Sequence, residues 1–439
     1  MKGIFMFCFY FSAVSRVAAF LSCFIVCLCV VGFAVPAEAN MVKRLTIQGT
    51  QLFDERGQPI RLRGANLEGV SAGEAQDIAQ NIGFNFVRLR ISYEDENLND
   101  RGDDFSESYK NSIHSWVRVL KQNGIWIDLE MRANDKYTND AAFYDISSPL
   151  FKKYLNCWLG LVREYKDTDY IAAYGLLAEP SPNHTKVDDP VGTLVSFQKK
   201  LMDEISVIDP VTPFIIGPDW NYDTMGYRHD DYYTRFLSYR GRIIYAVNFL
   251  SPKEWIKDGN WTVDHTKPTY PYSQANVTQA GFAALIAPLS GGATASAGGS
   301  KKNRSNQHSK NKTQQIPVDG GVYDNDMPIE KLFNEQRVLP ENYPRTLTPY
   351  FIKWYLQWPV AFKERYQVPL LVDQFGASTH SSGQLAYERD LIKYFEFQGF
   401  NWSRWSYNAG SKPRLIEGNP EVIAFYKMVM ERIKSQPLQ

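Results

Sequence analysis

Between residues 45 and 433 the chain alternates short apolar runs with amphipathic segments, and this alternation limits its fold more than any other feature. The runs at residues 83–91, 124–131, 171–177, 213–217, 242–249, 368–376 and 401–405 are bounded by glycine, proline or polar residues. An eighth run leads into Gly64-Ala65-Asn66. Short apolar runs of this kind read as strands covered on both faces. The segments between them, including residues 109–122, 149–165, 195–208, 349–366, 384–397 and 420–433, carry helical periodicity. Strands that alternate with helices imply a parallel sheet, and eight such units predict one closed (β/α)8 barrel, an α/β fold in a single domain. A β-hairpin over residues 45–63, turning at Asp54–Pro59, is expected to precede the first barrel strand.

The barrel domain is expected to span residues 40–439, behind a targeting segment at residues 1–39. Lys2 and Arg16 precede an apolar run at 17–35, and Ala37-Glu38-Ala39 offers a small-x-small cleavage site. The reading is export, secreted or periplasmic, with no membrane association once the leader is cleaved. The alternative is an anchor formed by the uncleaved leader. Four of the five cysteines fall in that leader, so an exported domain keeps only Cys157 and has no internal disulfide. Cys157 sits in an apolar helical stretch and reads as a buried structural thiol. The formal net charge of zero gives no electrostatic basis for a nucleic-acid partner. A monomer is expected. Residues 251–348 form a long insertion after the sixth strand. Its middle, residues 290–315, is rich in Gly, Ser, Asn and Lys and contains no acid, so it reads as a solvated loop. The aromatics at its flanks, Trp255, Trp261, Tyr270 and Tyr272, are expected to wall one side of a cleft.

In such a barrel the catalytic groups stand at the C-terminal ends of the strands. The fourth strand ends in Ala178-Glu179-Pro180, the sixth in Asn248-Phe249-Leu250, the seventh in Asp373-Gln374-Phe375-Gly376, and the eighth runs through Trp402 to Trp405. Carboxylates on the fourth and seventh strands would form the pair that glycoside hydrolysis needs. Here the fourth strand supplies Glu179 and the seventh an amide, Gln374, beside Asp373. Strand parity predicts that if Gln374 faces the cleft, Asp373 faces away and pairs with a helix residue, unless a bulge re-aims it. Asp373, Glu130, Asp219 and Glu254 all lie near strand ends, and each is a candidate replacement base. By the same parity Trp402 belongs to the core and Trp405 to the cleft. Phe143, Tyr144, Trp220, Tyr222 and Trp261 are candidate platforms for sugar rings. The six histidines show no metal-ligand spacing, so no metal is expected, and no cofactor is implied.

These strand ends resemble glycoside hydrolase family 5, the cellulase-like (β/α)8 enzymes. The likeness runs from about Leu45 to Ile433 and rests on several motifs in order. They are the Gly57-Gln58-Pro59 turn, Leu62-Arg63-Gly64-Ala65-Asn66, Gly83-Phe84-Asn85-Phe86-Val87-Arg88, Glu179-Pro180 and Trp405. The resemblance implies that Arg88 is the active-site arginine, Glu179 the acid/base, and Trp405 the platform that stacks on the sugar. Four motifs depart from the family pattern. Ala178 replaces the Asn before the acid/base, Glu130 a His, Asn248-Phe249-Leu250 a His-x-Tyr, and Gln374 the nucleophilic Glu. In the family the lost Tyr orients the lost Glu, so the two losses are coherent.

An amide at the nucleophile position keeps the shape of Glu but carries no charge and cannot form a covalent glycosyl intermediate. The expectation is therefore a family 5-like protein that binds a β-linked polysaccharide or oligosaccharide, with retaining hydrolysis impaired. Arg88, Glu130, Asn248 and Trp405 would shape the innermost sugar site. The alternatives are an active hydrolase with a relocated base, and a non-catalytic carbohydrate-binding or scaffold protein.

Overall fold

The computed structural model describes residues 42–228, 231–258, 270, 329–333, 347–408, 416–417 and 419–435. The expected leader and most of the insertion, with Trp261 and Tyr272, lie outside these residues. So do residues 290–315 and the side chain of Glu254.

Eight parallel strands close into a barrel. They are β1 (Arg63–Leu67), β2 (Phe86–Tyr93), β3 (Trp126–Ala133), β4 (Ile171–Gly175), β5 (Phe214–Ile216), β6 (Ile243–Phe249), β7 (Leu370–Phe375) and β8 (Asn401–Arg404). Each pairs with its sequence neighbours, and β8 closes on β1 through Trp402↔Arg63 and Ser403↔Gly64. The surrounding helices include α1 (Glu107–Gln122), α2 (Pro149–Tyr165), α3 (Pro190–Ile208), α4 (Pro349–Tyr366), α5 (Gln384–Gln398) and α6 (Pro420–Ser435). Their starts follow local chemistry. Ser106 and Ser148 accept hydrogen bonds from the first-turn N–H groups of α1 and α2, and proline occupies the first turn of α2, α3 and α4. Cys157, on α2, is buried and free.

Side-chain alternation divides the protein into two apolar clusters. Outward residues such as Val87, Leu89, Leu129, Val247, Val372 and Trp402 pack beneath the helices. Inward residues Phe86, Trp126, Ala173, Ile215, Ile244 and Leu371 fill the lower barrel. Leu45, Leu52 and Leu62 join the second cluster from the N-terminal segment and close the barrel's lower end. That segment makes two hairpins where the sequence suggested one. Strands Thr46–Gln48, Gln51–Phe53 and Pro59–Ile60 form a small antiparallel sheet, and the extra turn is at Gly49, where φ is +59°.

Candidate functional site

Above its apolar floor the barrel interior becomes charged. Phe86, Arg88 and Arg90 succeed one another on the inner face of β2, as Trp126, Asp128 and Glu130 do on β3. The register sets Arg88 beside Asp128 and Arg90 beside Glu130. Arg88 is fully buried and surrounded by three carboxylates. Its Nε lies 3.3 Å from Asp128 and 2.5 Å from Asp373 Oδ1, and its Nη2 contacts Glu130. Nη1 donates to Asn66 Oδ1 at 2.8 Å and to the Asp373 carbonyl at 3.2 Å. Glycine at position 175 leaves room for this layer, because a Cβ there would stand 2.8 Å from Asp128 Oδ1.

One guanidinium cannot neutralise three buried carboxylates, so protons are retained. Burial pushes Asp128 up to about 6, against the opposing pull of Arg88. Burial also raises Asp373; Arg88 opposes the shift, and the nearby charges of Asp128 and Glu179 add to it.

The inward aim of Asp373 corrects the parity expectation. The ladder between β7 and β6 runs Val372↔Val247 and then Gln374↔Asn248, so Asp373 is an extra residue in a bulge. Asp373 follows inward Leu371 and outward Val372 and so points into the barrel toward Arg88, while the bulge brings Gln374 into register with inward-facing Asn248 at the rim. Among the described residues no helix residue pairs with Asp373. Behind the strand, the loop that follows β7 is held by a buried clasp. Arg404 donates to Glu388 at 2.9 Å, and Glu388 also accepts from Ala377 N at 3.0 Å and from the Tyr426 hydroxyl.

The rim itself is formed by Glu179, Asn248, Gln374, Arg90 and Trp405. Glu179 is partly exposed and has φ +50°, a left-handed conformation rare outside glycine. Asn248 Nδ2 lies 3.5 Å from Glu179 Oε1 and donates to the Asn221 carbonyl at 2.9 Å. Asn221 belongs to a strained turn, since Trp220, Asn221 and Tyr222 all have φ near +60°. The turn buries Tyr222 inside the barrel against Gly217, where a Cβ would meet the ring at 2.3 Å, and leaves Trp220 53% exposed. Asp219, just before the turn, is raised to about 6 by burial. Several buried polar atoms of the rim have no hydrogen-bond partner among the described residues. They include Gln374 Nε2, Asn248 Oδ1, Arg90 Nε and Asp219 Oδ2. Orphaned groups of this kind carry a desolvation penalty that a polar ligand's hydroxyls would relieve.

The sequence-predicted residues therefore separate by depth. Glu179, Asn248, Gln374 and Trp405 meet at the rim, whereas Arg88 and Glu130 lie below it as ion-pair partners. Trp402 is core, packed edge-on against Phe84 and Phe375. Of the expected platforms among the described residues, Phe143, Tyr144 and Tyr222 are buried and only Trp220 stands exposed. Trp255 and Tyr270 are also buried, packed against Tyr387 instead of walling a cleft. The sequence reading missed Arg90, whose guanidinium carbon lies 4.6 Å from the centre of the Trp405 ring and whose Nη1 donates to Glu68 at 2.6 Å. The signal was available: if Arg88 faces inward, Arg90 does too, one layer nearer the mouth.

Comparison with known proteins fits this architecture. The family model "Cellulase (glycosyl hydrolase family 5)" matches residues 53–289, more than half of the chain. Among solved structures, the cellulose synthase subunit Z of Clostridioides difficile aligns with a TM-score of 0.56 at 13% identity, over 84% of this chain and 100% of its own. The β-glucanase SdGluc5_26A of Saccharophagus degradans, in complex with cellotetraose, aligns at 0.54 and 16%, over 90% of this chain and 94% of its own. Endoglucanase Cel5A of Thermotoga maritima aligns at 0.51 and 12%, over 80% and 91%. At these identities the likeness is one of fold. No curated protein matches the sequence.

Proposed function

Because the chain belongs to glycosyl hydrolase family 5, the cellulase family, we propose that its barrel mouth binds a β-linked glucan chain and lacks retaining hydrolysis. The observation that carries this reading is Gln374. It stands near the end of β7, in register with Asn248, whose Nδ2 lies 3.5 Å from Glu179 Oε1. Retention requires a carboxylate there to attack the sugar, and an amide forms no glycosyl ester. Glu179 keeps the geometry of an acid/base without a partner for the double displacement. The unpaired polar atoms of Gln374, Asn248 and Asp219, together with the exposed indole of Trp220, support a polar cleft with an aromatic platform. The β-glucan class is supported by the family and by the glucanases that share the fold.

A second reading has one specific observation in its favour, the inward aim of Asp373, within electrostatic reach of Glu179. An inverting reaction would use such a carboxylate to activate water. Against it, Asp373 is fully buried and held on Arg88, below the rim where a sugar would lie. The test is a parallel assay of wild type, Gln374→Glu and Asp373→Asn on β-glucans, with binding measured alongside. The proposal predicts binding without turnover by wild type, and turnover that rises at least a hundredfold above that background in Gln374→Glu. Turnover by wild type that Asp373→Asn abolishes, with inverted products, would establish the second reading instead.

A further inference from the structure

Trp405 is the residue on which the innermost sugar of a family 5 ligand would stack, yet in this structure it is only 5% exposed. One face of the indole is taken by Arg90, whose guanidinium carbon sits 4.6 Å from the ring centre. Arg90 is itself 7% exposed. It is held in place by Glu68, the residue after β1, through a 2.6 Å hydrogen bond. Glu68 is tied in turn to the segment beyond β8, because its N–H donates to Asn408 Oδ1 at 3.2 Å while Asn408 Nδ2 donates to the Gly69 carbonyl at 2.8 Å. A cation over an aromatic face and the C–H face of a sugar ring need the same surface, and both cannot have it. With 5% of its area open, Trp405 offers a sugar no second face. Arg90 is also poorly satisfied where it lies. Its Nε has no hydrogen-bond partner among the described residues, and Arg132 on the neighbouring strand repels it.

We propose that Arg90 is a specificity-determining residue that occupies the stacking face of Trp405 and must leave it before the innermost sugar of a β-glucan can seat. The inference rests on the β-glucan reading above and adds to it. Ligands that bind only along the outer cleft, over Trp220, do not meet Arg90. Ligands that reach the centre must displace it, and their affinity is reduced by the contacts Arg90 gives up.

The experiment measures cellotetraose binding by calorimetry and by tryptophan fluorescence in wild type, Arg90→Ala and Glu68→Gln. Trp405→Phe versions of each identify the Trp405 signal, and thermal melts establish that each variant folds. Arg90→Ala is expected to bind at least tenfold more tightly than wild type and to gain a Trp405-dependent fluorescence change. Glu68→Gln, which frees Arg90 without removing it and serves if Arg90→Ala does not fold, is expected to move both readouts the same way by less. If wild type binds and Arg90→Ala binds equally or more weakly, the proposal is overturned while the β-glucan reading stands. If no variant binds, both are overturned.

Discussion

The residue with most consequence for the barrel's interior is Arg88. Among the described residues it is the only cation paired with Asp128, Glu130 and Asp373, all of them buried. Removing one member of a buried ionic group leaves uncompensated charge and costs about 3–5 kcal/mol. Arg88→Leu is therefore expected to lose stability on that scale in urea titrations at neutral pH. The carboxylates predict the opposite sign. Asp128, Asp373 and Asp219 all hold their protons more tightly folded than unfolded. Each therefore contributes stability that is fully present below the unfolded value and is lost as pH rises through the folded one. For Asp128 the rise from 3.8 to about 6 corresponds to on the order of 3 kcal/mol across that window. Asp373→Asn is expected to flatten the fall in stability between pH 4 and 7 and to match or exceed wild type above pH 7. Denaturant titrations at pH 5 and pH 8 check this; an unchanged slope would contradict it.

At the scale of elements, two loops aim the rim. The turn at Trp220–Tyr222 spends backbone strain to present Trp220 outward and Asn221's carbonyl to Asn248. Trp220→Ala should leave stability within about 0.5 kcal/mol, since the side chain is exposed, yet weaken cello-oligosaccharide binding about tenfold, the loss of one aromatic contact. Calorimetry beside a thermal melt separates the two effects. The clasp of Glu388 on Arg404 does the converse, fixing the loop after β7 from behind the barrel. Glu388→Ala strands a buried guanidinium and is expected to cost about 3–5 kcal/mol, read as a lower urea midpoint.

For the whole molecule, the parallel barrel was legible because each strand is buried on both faces and therefore apolar throughout its lower half. The strand ends shifted by a residue or two where polar side chains continue the ladder. Glu179, Asn248, Gln374 and Trp405 could be placed at the rim because each lies at or a few residues beyond the C-terminal end of a strand. That Asp373 and Gln374 both face inward was not legible, since the bulge that allows it arises from register with β6, which is not local to the β7 sequence. The roles of Trp255, Phe143 and Tyr222 were misjudged for a related reason. An aromatic near a strand end serves cleft or core equally well until its neighbours are known. Arg90 was overlooked although its spacing from Arg88 gave its direction, because a charged residue pointing into a barrel reads as implausible until the acids opposite it are seen.

The proposal for this family 5 barrel is that it binds a β-glucan without cleaving it through a glycosyl ester. The most direct measurement follows the anomeric protons of cellotetraose by NMR over hours in the presence of the wild-type protein. Broadened, shifted ligand signals and no new reducing ends are expected. Rapid appearance of shorter products with the β configuration retained would contradict it.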